Sequence, residues 1–558
     1  MRRASWLRRA QALGACALAM CVVTTAAWAK PWSFGVMPDT QWTCSTDPAG
    51  ANPNGVPVSI IDQINAQFVN AGVKFVIQVG DLTENGNDAD EVVRAAASQT
   101  LYKAGIGFFP MRGNHETYGA GNGFGVPVFQ SNYPQTQGLG ETWGARHFSS
   151  PTSVSTDLAG LSYSFDYENA RFVIIDPWVT PSKNVAPGDG YNYGYSIGDQ
   201  QAWISSRLDR RARGGRHAFV FSHQPLIAEN HQDSPFVGYT DANPAMQNAF
   251  FASLQDNDVK YYISGHDHLH QRSLIASPDG LSYVQEIISG SDSSKFYTPK
   301  ALTDAKWFGQ KVREQSVAQD LYRVGFYIYT VDGPRVTVDY YADDHGSWLS
   351  DESYPTGPDG AGSHVTPTLS FVRRESFGYS LNGQEFVIPQ GGSYSVVQDD
   401  FSGTEAKILA GANGSTATDY TGRALAKTVD TGWTSACDAQ DDDTASDVLA
   451  LWGMTDVGSS QTDVYALSLT YDQRRTGGKH LGEGKFGIVT RAANGNWINA
   501  VDANVAGVKR FVVGPWRAGY GLGTYGLDPS KKVAWAVIDH EGEFAVASFD
   551  QHRDHGCR

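Results

Sequence analysis

The most restrictive feature of the sequence is a set of five short apolar stretches, each followed directly by polar residues of metal-binding types. The stretches are rich in β-branched and aromatic residues, which predicts buried strands. Glycine stands just before three of the polar groups, as expected where a chain turns tightly. The stretches and the groups that follow them are Ser33–Pro38 with Asp39-Thr40-Gln41, Lys74–Val79 with Gly80-Asp81, Ile106–Met111 with Gly113-Asn114-His115-Glu116, Ala218–Phe221 with Ser222-His223, and Val259–Ile263 with Gly265-His266-Asp267-His268.

Helical patterns separate most of these strands, which predicts an α/β fold with parallel pairing and helices on the sheet faces. Apolar residues recur at helical spacing over Ile60–Phe68 and stop at Gly72. Further helices are predicted over Asp90–Ala104, Gln200–Arg210 and Ala245–Leu254. In an open α/β sheet, the carboxyl ends of the strands gather at one edge and bind ligands there. The five polar groups are therefore predicted to converge on one site.

The residue types in these groups indicate a metal centre. Oxygen donors from Asp, Asn and Gln mixed with imidazoles suit Mn, Fe or Zn better than Ca or a thiolate-bound metal. The donors are more numerous than one ion needs, and two ions sharing a carboxylate would clamp a phosphate and activate a bridging hydroxide. The predicted metal ligands are Asp39, Gln41, Asp81, Asn114, His223, His266 and His268.

In order and spacing, the groups resemble the motifs of calcineurin-like metallophosphoesterases, which read D-x-H, GD, GNH(D/E), H and GHxH. Here they read DTQ, GD, GNHE, SHQP and GHDH, over residues 32–345. The resemblance implies two central β-sheets flanked by helices and metal-dependent hydrolysis of a phosphate ester. It implies a first metal on Asp39, Asp81 and His268. It implies a second metal on Asp81, Asn114, His223 and His266, with Asp81 bridging.

The resemblance also implies that His115 faces the substrate, where it would stabilise developing charge or protonate the leaving oxygen. Gln41 departs from the family pattern, which has histidine at that position. An amide oxygen is a neutral and harder donor than imidazole, so the first site is expected to be weaker or tuned towards Mn, Mg or Fe. Direct ligation by Gln41 and ligation through a water both remain open.

The N-terminus has the pattern of a secretion signal. Four arginines precede an apolar run, which ends at Ala27-Trp28-Ala29 with small residues where a signal peptidase cuts. Residues 1–29 are therefore predicted to be a signal peptide and the protein to be secreted or periplasmic. A membrane anchor is the alternative, although Thr24 and Thr25 interrupt the run. No later stretch approaches about 18 apolar residues, so no transmembrane anchor is expected there.

The chain is predicted to contain a catalytic domain over residues 30–345, a linker over 346–370 and a smaller all-β domain over 371–558. The linker is rich in Gly, Pro, Ser and Asp, and short strand-like runs separated by turns follow it. Aromatic residues of the last domain could form its core or a glycan-binding face, and a core is favoured. They are Trp433, Trp452, Trp497, Trp516 and Tyr520.

The net charge of −16 argues against a nucleic-acid partner. Metals can reverse the field locally, so a small-molecule or lipid phosphate ester remains the expected substrate. Contact with a cell surface or glycan through the C-terminal domain is a further expectation. The alternative function is a surface- or glycan-binding protein with a degenerate, inactive phosphoesterase domain. Loss of several ligands would favour that alternative, and only Gln41 departs from the pattern.

Several residues near the motifs are predicted to have lesser roles. His231 and Glu229, in the loop after the fourth group, are expected at the surface. Asp267 is expected to point away from the metals because its two neighbours point towards them. Arg112 could bind phosphate oxygens or pair with a carboxylate. The stretch Thr117–Pro151 is rich in Gly, Asn and Pro and predicts a long loop over the site.

Overall fold

A computed structural model describes residues 30–41, 52–118, 125–152, 159–178, 197–236, 242–301, 311–344, 368–393, 397–436, 444–476 and 481–549. The predicted signal peptide and most of the predicted linker lie outside these ranges. Within them, no helix is both long enough and apolar enough to cross a membrane.

The secondary structure is numbered along the chain. The helices are α1 (Val58–Ala71), α2 (Asp88–Ala97), α3 (Gln99–Lys103), α4 (His115–Tyr118), α5 (Val126–Asn132), α6 (Gln201–Leu208) and α7 (Pro244–Asp256). The strands are β1 (Trp32–Met37), β2 (Phe75–Gln78), β3 (Gly107–Pro110), β4 (Arg146–Ser149), β5 (Tyr163–Tyr167), β6 (Ala170–Ile175), β7 (His217–Ser222), β8 (Tyr261–Ser264), β9 (His270–Ala276), β10 (Tyr283–Ser289), β11 (Glu314–Asp320), β12 (Gly325–Asp332), β13 (Arg335–Asp343), β14 (Phe371–Ser380), β15 (Glu385–Ile388), β16 (Val397–Phe401), β17 (Thr404–Ala410), β18 (Lys427–Thr434), β19 (Val448–Trp452), β20 (Tyr465–Thr470), β21 (Phe486–Arg491), β22 (Trp497–Asn499), β23 (Arg510–Val513), β24 (Thr524–Asp528), β25 (Val533–Ile538) and β26 (Gly542–Ser548).

Strands β1 to β14, here called the N-terminal region, form two sheets. The first has the order β14-β13-β12-β1-β2-β3 and the second the order β11-β9-β10-β8-β7-β6-β5-β4. Their facing sides share one apolar core, in which Phe34 and Phe75 of the first sheet meet Phe172 of the second. Helices α1 and α3 pack behind the first sheet, and α6 and α7 behind the second. This confirms the predicted α/β sandwich.

The strands that precede the polar groups run parallel to their neighbours. Strand β1 pairs in parallel with β2, β2 with β3, and β7 with β8. Parallel strands place their carboxyl ends at the same edge of a sheet, so the loops that follow them lie side by side. The isolated bridge between Asp39 and Ser291 ties the end of β1 to the segment after β10, across the two sheets.

Strands β15 to β26, here called the C-terminal region, form two further six-stranded sheets. Their orders are β15-β18-β19-β26-β21-β22 and β16-β17-β20-β25-β24-β23. The two sheets enclose a separate core that includes Trp433, Leu467 and Phe544. The predicted all-β C-terminal region is confirmed, and so is a core role for Trp433. Strand β14, just after the predicted linker, pairs with β13 in the first sheet.

Two local predictions were wrong. The single helix predicted over Asp90–Ala104 is divided into α2 and α3 at Ser98. Ser98 there accepts a hydrogen bond from the buried guanidinium of Arg94. The stretch Thr117–Pro151, predicted as a loop, contains α5 and β4. Its short elements fall below the length at which periodicity distinguishes helix from loop.

Candidate metal centre

The ends of the five strands bring buried aspartate and histidine side chains together. In each of two groups, one donor atom from each of three residues lies within 4.8 Å of the other two. Asp81 belongs to both groups. The first group is Asp39, Asp81 and His268, and the second is Asp81, His223 and His266. All five side chains are buried.

Three glycines make this close approach of side chains and backbone feasible. A Cβ on Gly113 would lie 2.0 Å from Asp81 Oδ1, and one on Gly265 would lie 2.2 Å from Asp39 Oδ1. A Cβ on Gly80 would lie 2.4 Å from His223 Nδ1. Each contact is shorter than heavy atoms tolerate, so any larger residue would displace a carboxylate or imidazole of the site.

The backbone at the site is also held in an unusual conformation. Asp81, His266 and His268 have φ values of 44°, 73° and 47°, in the left-handed region that non-glycine residues seldom adopt. Such strain persists only where the surrounding structure enforces it, and it concentrates at functional sites. Here the left-handed turns direct successive side chains at the strand ends into the same space.

The first group is arranged around His268. Its Nδ1 donates to the carbonyl oxygen of Lys295 at 2.8 Å, which leaves the lone pair on Nε2. This Nε2 lies 3.2 Å from Asp39 Oδ2 and 2.8 Å from the amide nitrogen of Gln41. Burial lowers the pKa of His268 to about 3, which favours the neutral imidazole that ligates metals. The structure thus brings Gln41 to the donors of the first group.

The second group is arranged around His223. Its Nδ1 donates to the carbonyl oxygen of Val79 at 2.8 Å, so Nε2 faces the centre. Asn114 Oδ1 lies 3.0 Å from this Nε2, and Asp81 Oδ2 lies 3.3 Å from it. The carboxamide oxygen, the carboxylate oxygen and the imidazole nitrogen therefore converge.

His266 completes the second group and is oriented by a carboxylate that the sequence analysis missed. Its Nε2 donates to Asp233 Oδ1 at 3.0 Å, and its Nδ1 lies 3.2 Å from His223 Nε2. A carboxylate behind a metal-binding histidine fixes its orientation and makes it a stronger donor. Asp233 does not directly follow a strand but lies well into the segment after β7. Neither the strand pattern nor a motif therefore identified it.

The pKa values of the two aspartates at the centre are shifted in opposite directions. Burial, together with the charge of Asp81, raises the pKa of Asp39 to about 8. Burial would also raise the pKa of Asp81, but His223 and His115 hold it well below its usual value. Burial opposes protonation of His223, yet Asp81 and Asp39 raise its pKa to about 10. These opposed shifts follow from the close approach of the buried charges at the centre.

The donors fit a pair of divalent ions. Asp39 Oδ1 and Gln41 Oε1 are buried and have no hydrogen-bond partner within the described chain. Buried polar atoms are normally satisfied, and an unpaired one indicates a missing water or ion. Both atoms lie on residues that already contact His268, and carboxylate, carboxamide and imidazole donors together suit Mn, Fe or Zn. The chain therefore has the ligand types and the unpaired oxygens that such ions require.

His115 lies beside the two groups rather than in them. Its backbone NH donates to Asp81 Oδ1 at 3.0 Å, and its Nε2 lies 4.0 Å from Asp81 Oδ2. Its Nδ1 donates to the carbonyl oxygen of Glu84 at 2.5 Å. Burial lowers the pKa of His115 to about 4. The side chain is 16% exposed, whereas His223 and His268 are fully buried, so His115 is open to solvent at the mouth of the site.

Residues that the sequence analysis did not identify form the rest of the mouth. The ring of Tyr297 lies 4.7 Å from that of His268 and 4.8 Å from that of His231. The ammonium of Lys295 lies 5.6 Å from the Tyr297 ring centroid and 3.6 Å from Glu84 Oε2. Lys295 and Tyr297 follow β10, which bears no recognised motif, so no sequence signal placed them here.

Four further residues near the motifs have defined positions in the structure. His231 was predicted at the surface, but its ring packs 4.0 Å from that of His266 and its Nδ1 donates to Asp267 Oδ1. Glu229 was also predicted at the surface and is fully buried. Asp267 does point away from the two groups and accepts backbone NH bonds, as predicted. Arg112 forms a buried ion pair with Asp176 at 2.7 Å.

Comparisons with known proteins bear on the fold and family of this region. Residues 57–270 match the family model described as calcineurin-like phosphoesterase, which confirms the predicted resemblance. No curated protein matches the sequence.

Three solved structures share part of the architecture. GAP50, the anchor in the inner membrane complex of Plasmodium, is 17% identical, with a TM-score of 0.34, over 59% of this chain and 89% of its own. A dimetal phosphatase from Danio rerio is 16% identical, with a TM-score of 0.33, over 55% of this chain and 95% of its own. A purple acid phosphatase from yellow lupin is 15% identical, with a TM-score of 0.38, over 56% of this chain and 51% of its own. These likenesses are too distant to bear on activity.

Proposed function

We propose that this chain hydrolyses a phosphate ester at a centre of two divalent metal ions. The observation that carries the proposal is that two groups of buried donors meet at one shared carboxylate, that of Asp81. The family match supports phosphoester chemistry at the coarser level. The proposed ligands are Asp39, Gln41, Asp81 and His268 for one ion and Asp81, Asn114, His223 and His266 for the other.

The two ions, when bound, would polarise the phosphoryl group and supply a hydroxide for in-line attack. The chain's own part is to hold the donors and to exclude bulk water. The Val79 carbonyl fixes His223, the Lys295 carbonyl fixes His268, and Asp233 fixes His266. Because each imidazole has one nitrogen held in this way, only the other nitrogen is available at the centre.

His115 is proposed as the residue that acts on the substrate. Glu84 accepts from Nδ1, so the second proton of a His115 imidazolium would be on Nε2, which faces Asp81. A bound phosphate would favour that charged form, because an anion nearby raises the pKa of an imidazole. From Nε2 the proton can stabilise the transition-state charge or pass to the leaving oxygen.

Lys295 and Tyr297 are proposed to contact the phosphate beside His115. The Lys295 side chain is 12% exposed and is held between the Glu84 carboxylate and the Tyr297 ring. A partly exposed ammonium beside a metal centre attracts an anionic ester and can donate to its oxygens. The nearby Glu84 offsets part of this charge, which limits the total attraction at the mouth.

Gln41 is proposed as a direct ligand of the first ion. Its amide end already lies 2.8 Å from His268 Nε2, and its Oε1 is buried and unpaired. The oxygen and nitrogen of an amide are assigned from their partners, and an ion at this point would favour the orientation with Oε1 towards it.

The proposed enzyme acts outside the cytoplasm on a small-molecule or lipid phosphate ester. The charge and apolar pattern of residues 1–29 support export. The proposed division of the chain keeps a signal peptide over 1–29, a catalytic domain over 30–345 and a linker over 346–370. Residues 371–558 form the C-terminal domain in that division, and strand β14 at its start pairs with β13 in the first sheet of the N-terminal region.

The test is hydrolysis of a chromogenic phosphate monoester and its bis-ester by the purified protein. The protein is stripped of metal and resupplied with Mn, Fe or Zn, beside an Asp81→Asn variant. Metal-dependent turnover that falls at least about 1000-fold in the variant is expected, because one carboxylate serves both ions. The ratio of the two rates separates a phosphatase from a phosphodiesterase. Turnover that is independent of metal or unchanged in Asp81→Asn would contradict the proposal.

A further inference from the structure

A buried cluster of charged side chains joins the C-terminal region to the loop that follows His223. It consists of Glu229, Lys311, Glu314, Asp419 and Arg423. Arg423 belongs to the segment between β17 and β18, whereas Glu229 and Glu314 belong to the N-terminal region. Its Nη1 donates to Glu314 Oε2 at 2.7 Å, and its Nη2 lies 3.5 Å from Glu229 Oε1.

The two regions each supply one cation to the cluster, Lys311 from the N-terminal region and Arg423 from the C-terminal region. Glu229 and Glu314 are essentially inaccessible to solvent, and in the N-terminal region both contact the ammonium of Lys311. Burial and the closeness of Glu314 raise the pKa of Glu229 well above its usual value, whereas Lys311 and Arg423 lower the pKa of Glu314. The two acidic side chains therefore depend on both cations for their placement. Arg423 supplies the second positive charge, and Asp419 holds its Nε at 2.7 Å.

Glu229 begins a segment that is tied directly to the metal-binding turn. The backbone NH groups of Glu229 and Asn230 donate to Asp267 Oδ2, and the NH of His231 donates to Asp267 Oδ1. Asp267 lies between the proposed ligands His266 and His268. A displacement of the Glu229 backbone would therefore be transmitted to both ligands.

The same segment also orients His266 from behind. Asp233 accepts from His266 Nε2 at 3.0 Å and also accepts from the amide of Gln224. The ring of His231 packs against His266 with centroids 4.0 Å apart. Residues 229–233 thus fix one proposed ligand through a carboxylate, a ring contact and the turn that carries it.

We infer that Arg423 is a positioning residue for the metal centre, and that the C-terminal region completes that centre from outside. Arg423 pairs with Glu314, lies against Glu229, and so keeps residues 229–233 in the position that orients His266. Without it, Glu229 and Glu314 would share Lys311, and Glu229 would move towards water with its backbone. The inference rests on the proposed metal site, and it assigns the C-terminal region a role in metal affinity.

The test compares Arg423→Met with Arg335→Met in the full-length protein. Arg335 is a matched control because it also links the two regions, through an ion pair from β13 to Glu543 at 2.5 Å. That ion pair does not involve residues 229–233. Binding of Mn²⁺ is measured by electron paramagnetic resonance without substrate, and thermal unfolding is measured on the metal-free proteins. Arg423→Met is expected to bind Mn²⁺ about tenfold more weakly than wild type, as for other residues behind metal ligands. Arg335→Met is expected to bind as wild type does.

Two further variants separate positioning from general stability. Arg423→Lys keeps the charge but not the planar fork, so part of the affinity is expected to return. Adding Glu229→Gln to Arg423→Met removes the repulsion between Glu229 and Glu314 beside the one remaining cation, and is expected to restore Mn²⁺ affinity, a coupling that a merely structural role would not produce. If Arg423→Met does not fold, Arg423→Lys against Arg335→Lys makes the same comparison, with weaker Mn²⁺ binding expected only in the former.

Equal Mn²⁺ affinity in wild type, the Arg423 variant and the Arg335 variant would overturn the inference while leaving the proposed function intact. Equal losses of affinity in both variants would overturn it too, because the effect would then follow from loosening the two regions. A wild-type protein that binds no Mn²⁺, Fe or Zn would overturn the proposed function, and the inference with it.

Discussion

The two regions of the described chain are both built from paired β-sheets, but they place their strand ends differently. In the N-terminal region the strands that precede the polar groups are parallel, so their carboxyl ends share one edge. In the C-terminal region every strand pairing except that of β23 with β24 is antiparallel. Neighbouring antiparallel strands end at opposite edges, so loops that follow successive strands are kept apart.

The regions differ accordingly in where metal-binding types of side chain come together. Within the described residues, both groups of His, Asp or Glu side chains suited to a metal lie in the N-terminal region. Asp39 there has an unpaired oxygen, although it is fully buried. Buried oxygens without a hydrogen-bond partner also occur in the C-terminal region, for example Asp430 Oδ2, but within the described residues no group of three His, Cys, Asp or Glu donors suited to a metal surrounds them. Parallel strand ends thus bring potential metal ligands together, whereas the antiparallel sheets of the C-terminal region do not.

The largest expected difference between the regions is in how much kcat falls when a histidine of each is replaced. His115→Asn should lower kcat by about 100-fold or more, because it removes the proposed proton donor and leaves the metal ligands in place. The control is His540→Asn in the C-terminal region, where the imidazole donates to the carbonyl oxygen of Ala500. Metal content and kcat are measured for both. A loss of kcat in His540→Asn as large as in His115→Asn would break the contrast.

Replacing a buried carboxylate whose two oxygens already have hydrogen-bond partners should change the stability of the protein and not its catalysis. Glu375 of β14 accepts from Arg272 and from His270 Nε2. Glu375→Gln leaves the Arg272 charge uncompensated and should lower the free energy of unfolding by about 3 kcal/mol at pH 7. The measurement is urea unfolding of the metal-free protein, with metal binding as the control that stays unchanged.

The pH dependence of stability gives an independent check on Glu375. Burial opposes its ionisation, but Arg272 and His270 lower its pKa from 4.5 to about 2. Because the folded pKa lies below the unfolded one, its contribution is fully present above about pH 4.5 and is lost as pH falls through about 2. Glu375→Gln should therefore reduce the dependence of stability on pH in this window. An unchanged dependence would show that Glu375 is not ionised in the fold.

Gln41 allows the proposed first metal site to be tested by itself. Gln41→Ala should weaken the weaker of two Mn²⁺ binding steps by about tenfold, because one oxygen donor is lost. Gln41→His should retain that step, since imidazole is the donor that the family pattern has there. Calorimetric titration of the metal-free protein with Mn²⁺ measures both. If Gln41→Ala binds as wild type does, Gln41 is a spectator.

The smallest expected effect has the opposite sign to that of Glu375→Gln. Asp39→Asn replaces a buried carboxyl group whose ionised form is disfavoured by burial and by Asp81 and is only partly stabilised by His223. It should raise the thermal stability of the metal-free protein by about 1 kcal/mol while weakening metal binding, the trade-off expected at functional sites. Differential scanning calorimetry with and without Mn²⁺ tests this, and destabilisation without metal would contradict it.

The convergence of the metal-binding groups could be predicted because the chain encodes it locally. Apolar strands followed by Asp81, His223 or His266 fix both the element and the edge at which each ligand lies. The parts that were missed depend on tertiary contacts. Asp233 and Lys295 lie on segments without periodicity, and Glu229 and His231 look like surface residues until Arg423 and Asp267 are placed beside them.

The central claim is that two ions share the carboxylate of Asp81, and the number of ions bound tests it most directly. Metal-free protein is titrated with Mn²⁺ and followed by electron paramagnetic resonance, in wild type and in Asp81→Asn. The account predicts two Mn²⁺ per chain in wild type with a spin-coupled signal, and loss of that signal in Asp81→Asn. One ion per chain in wild type, or a coupled pair that survives in Asp81→Asn, would contradict it.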